Sequence, residues 1–435
     1  MKTPRITAKY LNGHKKPSVL LAATVWWPLA ARLAMRFIRY GCEVAAICPH
    51  GHMLRHVNGM GTIYRYHGLR SLASLESAIR AANPDLIIPC DDRVVWQLHD
   101  LYKKRPQLRS LIEASLGPAS EYEIVSQREQ LLRTAEELGI RIPRTLKVQS
   151  EEDVHSWFAG EFPPAVLKLD GSGGGEGVEI AHSEEEAIEV FRRMSHRPGI
   201  ETALKRLLVN RDPVSIWESR RQIAPVITIQ QFIHGRPANA MLACWRGEVL
   251  SMVSVEAIRS LGETRAALIV RVIENQEIKR AAQLLSRRLQ LTGFYGLDFM
   301  LDPETHRTWL IEMNPRCTQL GHLPLTKDGD LAGAFCQKLV GRKCIPDEAR
   351  IENEVIAFFP QAVLSDPCNP LLRSSYHDVP WEEPQLVREL LMDIWPNRQW
   401  IARLYHHFRP PQKEAPVEFA ANEETDVLTS SSDIG

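Results

Sequence analysis

The sequence lacks the features that mark several large protein classes. Its eight cysteines are scattered and form no CxxC pair, which argues against a zinc site or a disulfide framework and favours a reducing compartment. It contains no run of 18 apolar residues, so no membrane-spanning helix is expected. Pro28 and Arg32 interrupt the apolar stretch near the N-terminus before it reaches the length of a signal-peptide core. We therefore expect a cytoplasmic protein.

The sequence also lacks an excess of charge of either sign. Lysine and arginine together number 53, and aspartate and glutamate together also number 53. No overall field attracts nucleic acid or an anionic membrane, and neither is expected as a partner. The apolar fraction of 44% and the charged fraction of 24% are ordinary for a globular protein, and 435 residues suggest two to three domains.

The N-terminal part alternates apolar strands and amphipathic helices. Ser18 to Ala23 and Glu43 to Cys48 read as strands, and Leu29 to Tyr40 reads as a helix between them. This order predicts a parallel α/β sheet. No GxGxxG motif follows the first strand, which excludes the usual dinucleotide-binding fingerprint.

Polar residues follow another predicted strand that ends at Pro89. Asp91, Asp92 and Arg93 occupy the position where open α/β sheets bind ligands, although either aspartate could instead cap a helix. Trp26 and Trp27, after the first strand, could line the same pocket or be buried in the core.

A glycine-rich stretch lies between two apolar strands in the middle of the chain. Lys168 ends the strand Ala165 to Leu169, and five glycines occur between Gly171 and Gly177. Such a loop can wrap backbone N–H groups around phosphate oxygens, and a lysine adds positive charge. It is not a Walker A loop, because no Gly-Lys-Ser/Thr follows. A flexible linker is the alternative, but linkers are rare between two core strands.

The most informative stretch is GFYGLDFMLDPETHRTWLIEMNPR, from Gly293 to Arg316. Two apolar runs flank a cluster of turn-forming residues and predict a β-hairpin. Alternation places Leu310, Glu312 and Asn314 on one face, and a turn near Thr305 places Asp298 roughly opposite Glu312. Two carboxylates and an amide oxygen are ligands that Mg²⁺ accepts. A solvated surface hairpin is the alternative.

Taken together, these motifs resemble the ATP-grasp superfamily, in the branch of carbamoyl-phosphate synthetase large-subunit halves and carboxylate–amine ligases. The hairpin is similar to that family's G-x-(D/Q)-F…(L/I)-E-x-N-P-R pattern, and the lysine and glycine loop precede it in the family's order. The resemblance covers roughly residues 15–345. It implies an α/β fold, with α+β ATP-grasp lobes preceded by a Rossmann-like parallel-sheet domain.

The resemblance also implies a role for each matching residue. Metal ligands would be Asp298, Glu312 and Asn314, and Arg316 and Lys168 would act on the transferred phosphate. Nucleotide contacts would come from Arg128, Lys168, Ser172, Gly173, Gly174, Gly175, Gln230, Gln231, Phe232 and Ile233. The sequence departs from the family where Gln127-Arg128 replaces the commoner Asp-Lys pair and where Gln231 replaces a glutamate.

The activity implied is an ADP-forming ligase that joins a small carboxylate to an amine through an acyl phosphate, with ATP and Mg²⁺, or Mn²⁺ in its place. The alternatives are a carbamoyl-phosphate-synthetase-like or carboxylase-like acyl-phosphate enzyme and a non-catalytic ATP-binding protein.

Five segments are expected. They are a loose arm (1–17), the Rossmann-like domain (18–120), the ATP-grasp domain (121–345), a C-terminal extension (346–408) and a disordered tail (409–435). The amphipathic part of the extension, Pro384 to Phe408, could cover the active-site cleft or form a contact in a homodimer. His377 and Asp378 suggest either acid–base chemistry or a structural turn before Pro380.

Overall fold

The computed structural model describes residues 16–160, 163–170, 177–196, 205–212, 226–262, 264–305, 307–325, 330–341, 351–410 and 415–419. Within these ranges, no helix combines the length and the apolar character needed to cross a bilayer.

The first sheet is parallel, as the sequence predicts. Its strands run in the order β3-β2-β1-β4. They are β1 (Ser18–Ala22), β2 (Glu43–Cys48), β3 (Ile63–Arg65) and β4 (Leu86–Pro89). The helices of this part are α1 (Leu29–Arg39), α2 (Ser71–Ala82), α3 (Asp92–Lys104) and α4 (Arg109–Leu116). The fully buried β4 and the nearly buried β1 explain why these strands read as continuous apolar runs.

A short helical pair leads into a second, antiparallel sheet. The pair is α5 (Tyr122–Ser126) and α6 (Arg128–Glu137). The sheet has the order β5-β8-β6-β7. Its strands are β5 (Thr145–Val148), β6 (Ala165–Leu169), β7 (Val178–Ala181) and β8 (Ile227–Gln231). Helices α7 (Glu151–Gly160) and α8 (Glu184–Ser195) supply apolar side chains to its core.

The third sheet is the largest and carries the predicted hairpin. Its order is β13-β12-β9-β10-β11-β14-β15, and β16 pairs with β10. The strands are β9 (Arg236–Trp245), β10 (Glu248–Ser260), β11 (Ala267–Val272), β12 (Gly293–Leu301), β13 (Thr308–Asn314), β14 (Val355–Ala357), β15 (Tyr376–His377) and β16 (Val417–Glu418). Helix α9 (Gln276–Leu289) packs on β9 and β10, and α10 (Leu331–Val340) follows the hairpin. Arg246 and Gly247, both with positive φ, form the β9–β10 turn.

The C-terminal extension packs onto the rest of the molecule. Its helices are α11 (Gln361–Ser365), α12 (Leu371–Ser374), α13 (Pro384–Leu390) and α14 (Trp400–Phe408). Leu386 of α13 shares one core with Phe37 of α1, Phe294 of β12 and Phe335 of α10. The parallel sheet, the large sheet and the extension are therefore held by a common hydrophobic core.

Three local predictions were wrong. Ser126 and Glu129 form a capping-box pattern that predicts a helix over 126–138, but Ser126 instead ends α5, and Gln127 precedes α6 in an extended conformation. The apolar run Ile227 to Ile233 and the Gly/Pro pair after it predict a turn over 234–237, whereas β8 ends at Gln231 and β9 begins at Arg236, so the turn lies two residues earlier. The tail is not wholly disordered, because Val417–Glu418 pairs with Arg259 and Ser260 on β10.

Candidate active site

The predicted hairpin brings its two carboxylates together through a β-bulge. Asp298 on β12 lies directly opposite Glu312 on β13, whereas the next pair toward the turn is Phe299 with Leu310. Ile311 is therefore the extra residue of the bulge. Had the register from the turn side continued, Ile311 would have faced Asp298.

The same bulge makes one sequence-based expectation wrong. Leu310 does not share a face with Glu312 and Asn314 but is buried with Leu297 and Phe299. Each residue added to one strand reverses the face on which the following side chains lie. The bulge therefore places Glu312 and Asn314 on the same side of the hairpin as Asp298.

Asp298 is held by two amide groups. Asn239 on β9 and Asn314 on β13 each donate an Nδ2 hydrogen bond to its carboxylate, the second at 2.8 Å. Burial and the neighbouring negative charge of Glu312 raise the pKa of Asp298. A cation between the two carboxylates would remove this repulsion.

Glu312 is paired with an arginine from the preceding helix. Arg128, the first residue of α6, donates from Nη2 to Glu312 Oε2 at 2.7 Å and from Nη1 to Asp170 Oδ1 at 2.6 Å. Burial alone would raise the pKa of Glu312, but the charges of Arg128 and Lys168 outweigh burial and lower it. Arg128 therefore links the large sheet to the end of the second sheet.

Lys168 lies buried at the end of β6, close to the same carboxylates. Burial, reinforced by the positive charge of Arg128, lowers the pKa of Lys168 to about 8, while Glu312 and Asp298 act in the opposite direction. The ammonium is thus present at neutral pH in a partly dehydrated place, where its interaction with a phosphate would be strong.

Arg316 lies where the hairpin meets the parallel-sheet domain. Its Nε donates to Asp92 Oδ2 at 2.8 Å and its Nη2 to Asn314 Oδ1 at 3.3 Å. The guanidinium also lies 5.7 Å from the centre of the Trp27 ring. Asp92 follows the helix cap Asp91, whose carboxylate accepts from Val94 N at 3.1 Å and from the backbone of Thr24 at 2.6 Å. One aspartate therefore caps α3, and the other binds a candidate catalytic arginine.

A cleft lies between these groups. It is lined by residues of α3, the α5–α6 pair, the end of β6 and the end of β13, namely Asp92, Trp96, Val125, Ser126, Arg128, Leu131, Asp170, Glu312, Met313, Asn314 and Pro315. Residues next to the parallel sheet, the second sheet and the large sheet all line this cleft.

The hinge, residues 232–235, connects the second sheet to the third. Gln230 is buried in β8 and donates to Thr145 Oγ1 at 2.9 Å. Gln231 ends the strand, with its backbone N–H bonded to the Arg144 carbonyl at 2.9 Å. Phe232 and Ile233 follow and are half-buried. A Cβ on Gly235 would lie 2.6 Å from the Leu301 carbonyl oxygen, so the hinge passes close to the hairpin.

The remaining predicted phosphate contacts, Ser172, Gly173, Gly174 and Gly175, lie outside the described residues.

The donor chemistry of the hairpin fits a hard divalent cation. In the described part of the chain, no group of three or more histidine, cysteine, aspartate or glutamate side chains is arranged to hold a metal. Asp298 and Glu312 with the Asn314 amide form a smaller, all-oxygen set. Such a set suits Mg²⁺, which usually binds one or two carboxylates and completes its shell with waters and substrate phosphates.

Two residues of the site were missed by sequence reasoning. The sequence does contain a signal for Asn239, because it is a single amide side chain among the mostly apolar residues of β9. Asp170 directly follows the strand that carries Lys168, yet its pairing with Arg128 has no local sequence signature.

Comparison with known proteins agrees with this architecture. Residues 127–326 match the family described as "Carbamoyl-phosphate synthase L chain, ATP binding domain". The carbamoyl phosphate synthase large chain of Thermus thermophilus is 26% identical over 196 residues, which are 44% of this chain and 17% of that protein. A carbamoyl-phosphate synthase of Methanobrevibacter smithii is 21% identical over 41% of this chain and 42% of its own length. The chain thus matches only a minor part of these relatives.

Solved structures of similar fold cover more of the chain. Carboxyaminoimidazole ribonucleotide synthase from Aspergillus clavatus, complexed with ATP, has a TM-score of 0.56 at 13% identity and covers 78% of this chain and 80% of its own. Biotin carboxylase from Campylobacter jejuni has a TM-score of 0.52 at 12% identity, over 78% and 73% of the two chains. The resemblance to the ATP-grasp superfamily and the α/β fold are confirmed.

Proposed function

We propose that this chain, which has the ATP-grasp fold, is an ADP-forming ligase that joins a carboxylate to an amine through an acyl phosphate. The observation that carries the proposal is the cross-strand pair Asp298–Glu312, surrounded by the cations Arg128, Lys168 and Arg316. Phosphoryl transfer requires charge neutralisation and alignment more than a covalent group on the protein, and this site offers both signs of charge in one cleft.

Asp298, Glu312 and Asn314 would hold Mg²⁺, which supplies neutralisation of phosphate charge when bound. Arg128 would then give up its hydrogen bond to Glu312 and bind a nucleotide phosphate instead, while its hydrogen bond to Asp170 remains. Lys168 offers a second positive charge from β6. Ser172 to Gly175 would close over the phosphates and exclude water, which otherwise hydrolyses an acyl phosphate.

The hinge would bind the nucleoside. Gln230, Gln231, Phe232 and Ile233 lie on the strand end and linker that join the lobes. Their backbone can hydrogen-bond an adenine edge regardless of side chain. Because Gln231 replaces a carboxylate, its contact with the ribose would be a neutral hydrogen bond.

The proposed reaction consists of two displacement steps. A carboxylate oxygen of the substrate forms a bond to the γ-phosphorus as the bond to ADP breaks. The amine nitrogen then bonds to the acyl carbon as phosphate departs, and the amine loses a proton. Arg316, fixed between Asp92 and Asn314, is placed to neutralise the acyl phosphate as it forms.

Bicarbonate as the carboxylate is the second candidate. The matching family is that of carbamoyl-phosphate synthases, and a biotin carboxylase is among the similar structures. Both candidates require the same site and differ only in the acid that is phosphorylated.

The test is ADP release from Mg²⁺-ATP in the presence of amino acids, small carboxylates and bicarbonate, each alone and with amines. The proposal predicts turnover that needs both a carboxylate and an amine. Release with bicarbonate alone would favour the second candidate. Tight ATP binding without turnover under any condition would contradict both and identify a binding protein.

A further inference from the structure

The two facing carboxylates of the hairpin differ in how their negative charge is compensated. Glu312 accepts a hydrogen bond from the guanidinium of Arg128 at 2.7 Å, in an ion pair whose arginine side chain is only 10% exposed. Asp298 forms no ion pair with any residue in the described part of the chain, and the neutral amides of Asn239 and Asn314 hold its carboxylate. One of the two candidate metal ligands is therefore already bound to a cation.

Arg128 is held at a second point, next to the strand that carries Lys168. Its Nη1 donates to Asp170 Oδ1 at 2.6 Å, and Asp170 directly follows β6. The planar guanidinium can serve two carboxylates at once through its separate N–H groups, which a lysine ammonium cannot do with the same geometry. If the bond to Glu312 were lost, Arg128 would remain attached to Asp170, close enough to Lys168 to influence its charge.

The hydrogen bonding of Arg128 is incomplete. Its Nε is buried, and no atom within the described ranges accepts a hydrogen bond from it. A buried donor without a partner costs free energy, so a position of the guanidinium that serves a further acceptor is favoured. Phosphate oxygens are acceptors of this kind, and arginine binds them through charge-assisted hydrogen bonds.

Arg128 and a divalent cation would compete for Glu312. Two positive groups bound to one carboxylate lie close together, so each weakens the binding of the other. This repulsion is relieved when the guanidinium turns from Glu312 to a phosphate. Because Mg²⁺ also completes its shell with phosphate oxygens, one nucleotide both attracts Arg128 and supplies ligands to the metal.

We propose that Arg128 is an internal counter-ion that occupies Glu312 until a nucleotide phosphate draws it away, so that the metal site binds its cation tightly only together with nucleotide. Asp170 is the pivot of this exchange, since its bond to Arg128 persists throughout. The inference rests on the proposed function, because it takes Asp298, Glu312 and Asn314 as the metal ligands. It adds an order of events, in which the divalent cation arrives with the nucleotide.

A permanent structural pair is the alternative interpretation of the contact between Arg128 and Glu312. In that case Arg128 orients Glu312 for the metal, and its removal weakens metal binding. Under the exchange, its removal frees Glu312 and strengthens metal binding. The two interpretations thus predict changes of opposite sign, and the unpartnered Nε favours the exchange.

The test is Mn²⁺ binding to the full-length protein at neutral pH, followed by the electron paramagnetic resonance signal of the free ion. It is measured without nucleotide and with ADP, corrected for the Mn²⁺ that ADP binds in solution. Without nucleotide, Arg128→Gln should bind Mn²⁺ at least about tenfold more tightly than the unaltered protein, because Glu312 loses its competing cation. Arg128→Lys keeps the charge but cannot hold both carboxylates, and it should bind Mn²⁺ about threefold more tightly.

Arg141→Gln is the matched control, because it removes a positive charge that is paired with Glu277 rather than with Glu312. It should bind Mn²⁺ as the unaltered protein does. Weaker Mn²⁺ binding by Arg128→Gln would overturn the proposal and identify a structural pair. Tighter binding by Arg128→Gln, with Arg128→Lys equal to the unaltered protein, would also overturn it, because the charge would then act without occupying Glu312.

The measurement with ADP separates this inference from the proposed function. If the unaltered protein binds Mn²⁺ with ADP but the Arg128 variants bind Mn²⁺ alone no more tightly, only the inference fails. If Mn²⁺ does not bind even with ADP, the metal assignment fails, and the inference fails with it.

Discussion

Asp92 on helix α3 binds the Nε of Arg316 at 2.8 Å across 224 residues of sequence. Trp27, from the same domain, lies beneath the guanidinium. The part of the chain that forms the parallel sheet thus fixes the orientation of an arginine at the end of the hairpin. Its other contact, with the Asn314 amide, ties this arrangement to the candidate metal ligands.

Replacing Asp92 with Asn should therefore impair catalysis more than nucleotide binding. Arg316 would lose a charge-assisted hydrogen bond in a largely buried place, and kcat should fall about tenfold or more while the Kd for ATP changes little. Asp100→Asn, on the same helix and paired with Lys104 near the surface, is the control. A parallel loss of ATP affinity in the Asp92 variant would contradict a role in aiming Arg316.

Glu312→Gln should abolish turnover and leave the fold intact. The amide preserves the shape of the side chain but removes the negative charge that would bind Mg²⁺ and that now pairs with Arg128. Glu304→Gln, an exposed change in the turn of the same hairpin, should be silent. Activity at more than about a hundredth of the original value in the Glu312 variant would contradict the metal assignment.

The hairpin shows how far the sequence could predict this site. Its two apolar runs and turn residues were enough to place Asp298 opposite Glu312, and the structure confirms that pairing. They could not predict the bulge at Ile311, because an extra residue has no periodic signature, and so Leu310 was assigned to the wrong face. The fold class could be predicted because the periodicity of strands and helices is a local property of the sequence.

Long-range polar pairs could not be predicted in this way. Arg128 meets Asp170 and Glu312 only when the second and third sheets pack together, and Asn239 meets Asp298 only when β9 pairs with β12. His377 and Asp378 illustrate the difference. The sequence suggested a turn or acid–base chemistry, whereas Asp378 is buried and binds Arg32 of α1 and His322 after the hairpin.

Asp378→Ala should mainly destabilise the protein. Its carboxylate accepts from Arg32 at 2.9 Å, from His322 at 2.8 Å and from the Phe359 backbone at 2.6 Å. Removal leaves the buried Arg32 charge without this partner, and the free energy of unfolding should fall by about 3–5 kcal/mol. Chemical denaturation measures it. Glu151→Ala breaks a surface pair with Arg192 and should change stability little; equal effects of the two changes would contradict a buried clamp.

Nucleotide binding should weaken as pH rises above about 8. Burial lowers the pKa of Lys168 to about 8, so the unbound protein loses this proton above that pH, whereas bound phosphate favours the charged lysine. The affinity for ATP should then fall by up to about tenfold per pH unit between 8 and the ordinary lysine pKa. Calorimetry at several pH values should show proton uptake on binding. Lys168→Met should remove both effects, and an unchanged pH profile in that variant would contradict the assignment.

The central claim is that ATP phosphorylates a carboxylate, and oxygen transfer tests it most directly. With a carboxylate labelled with ¹⁸O on both oxygens and an amine that together support turnover, one ¹⁸O atom should appear in the released phosphate, because the acyl oxygen leaves with phosphorus. If the phosphate released with the labelled acid carries no ¹⁸O, and a parallel reaction in labelled water does place ¹⁸O in phosphate, then ATP is simply hydrolysed. That result would contradict the account.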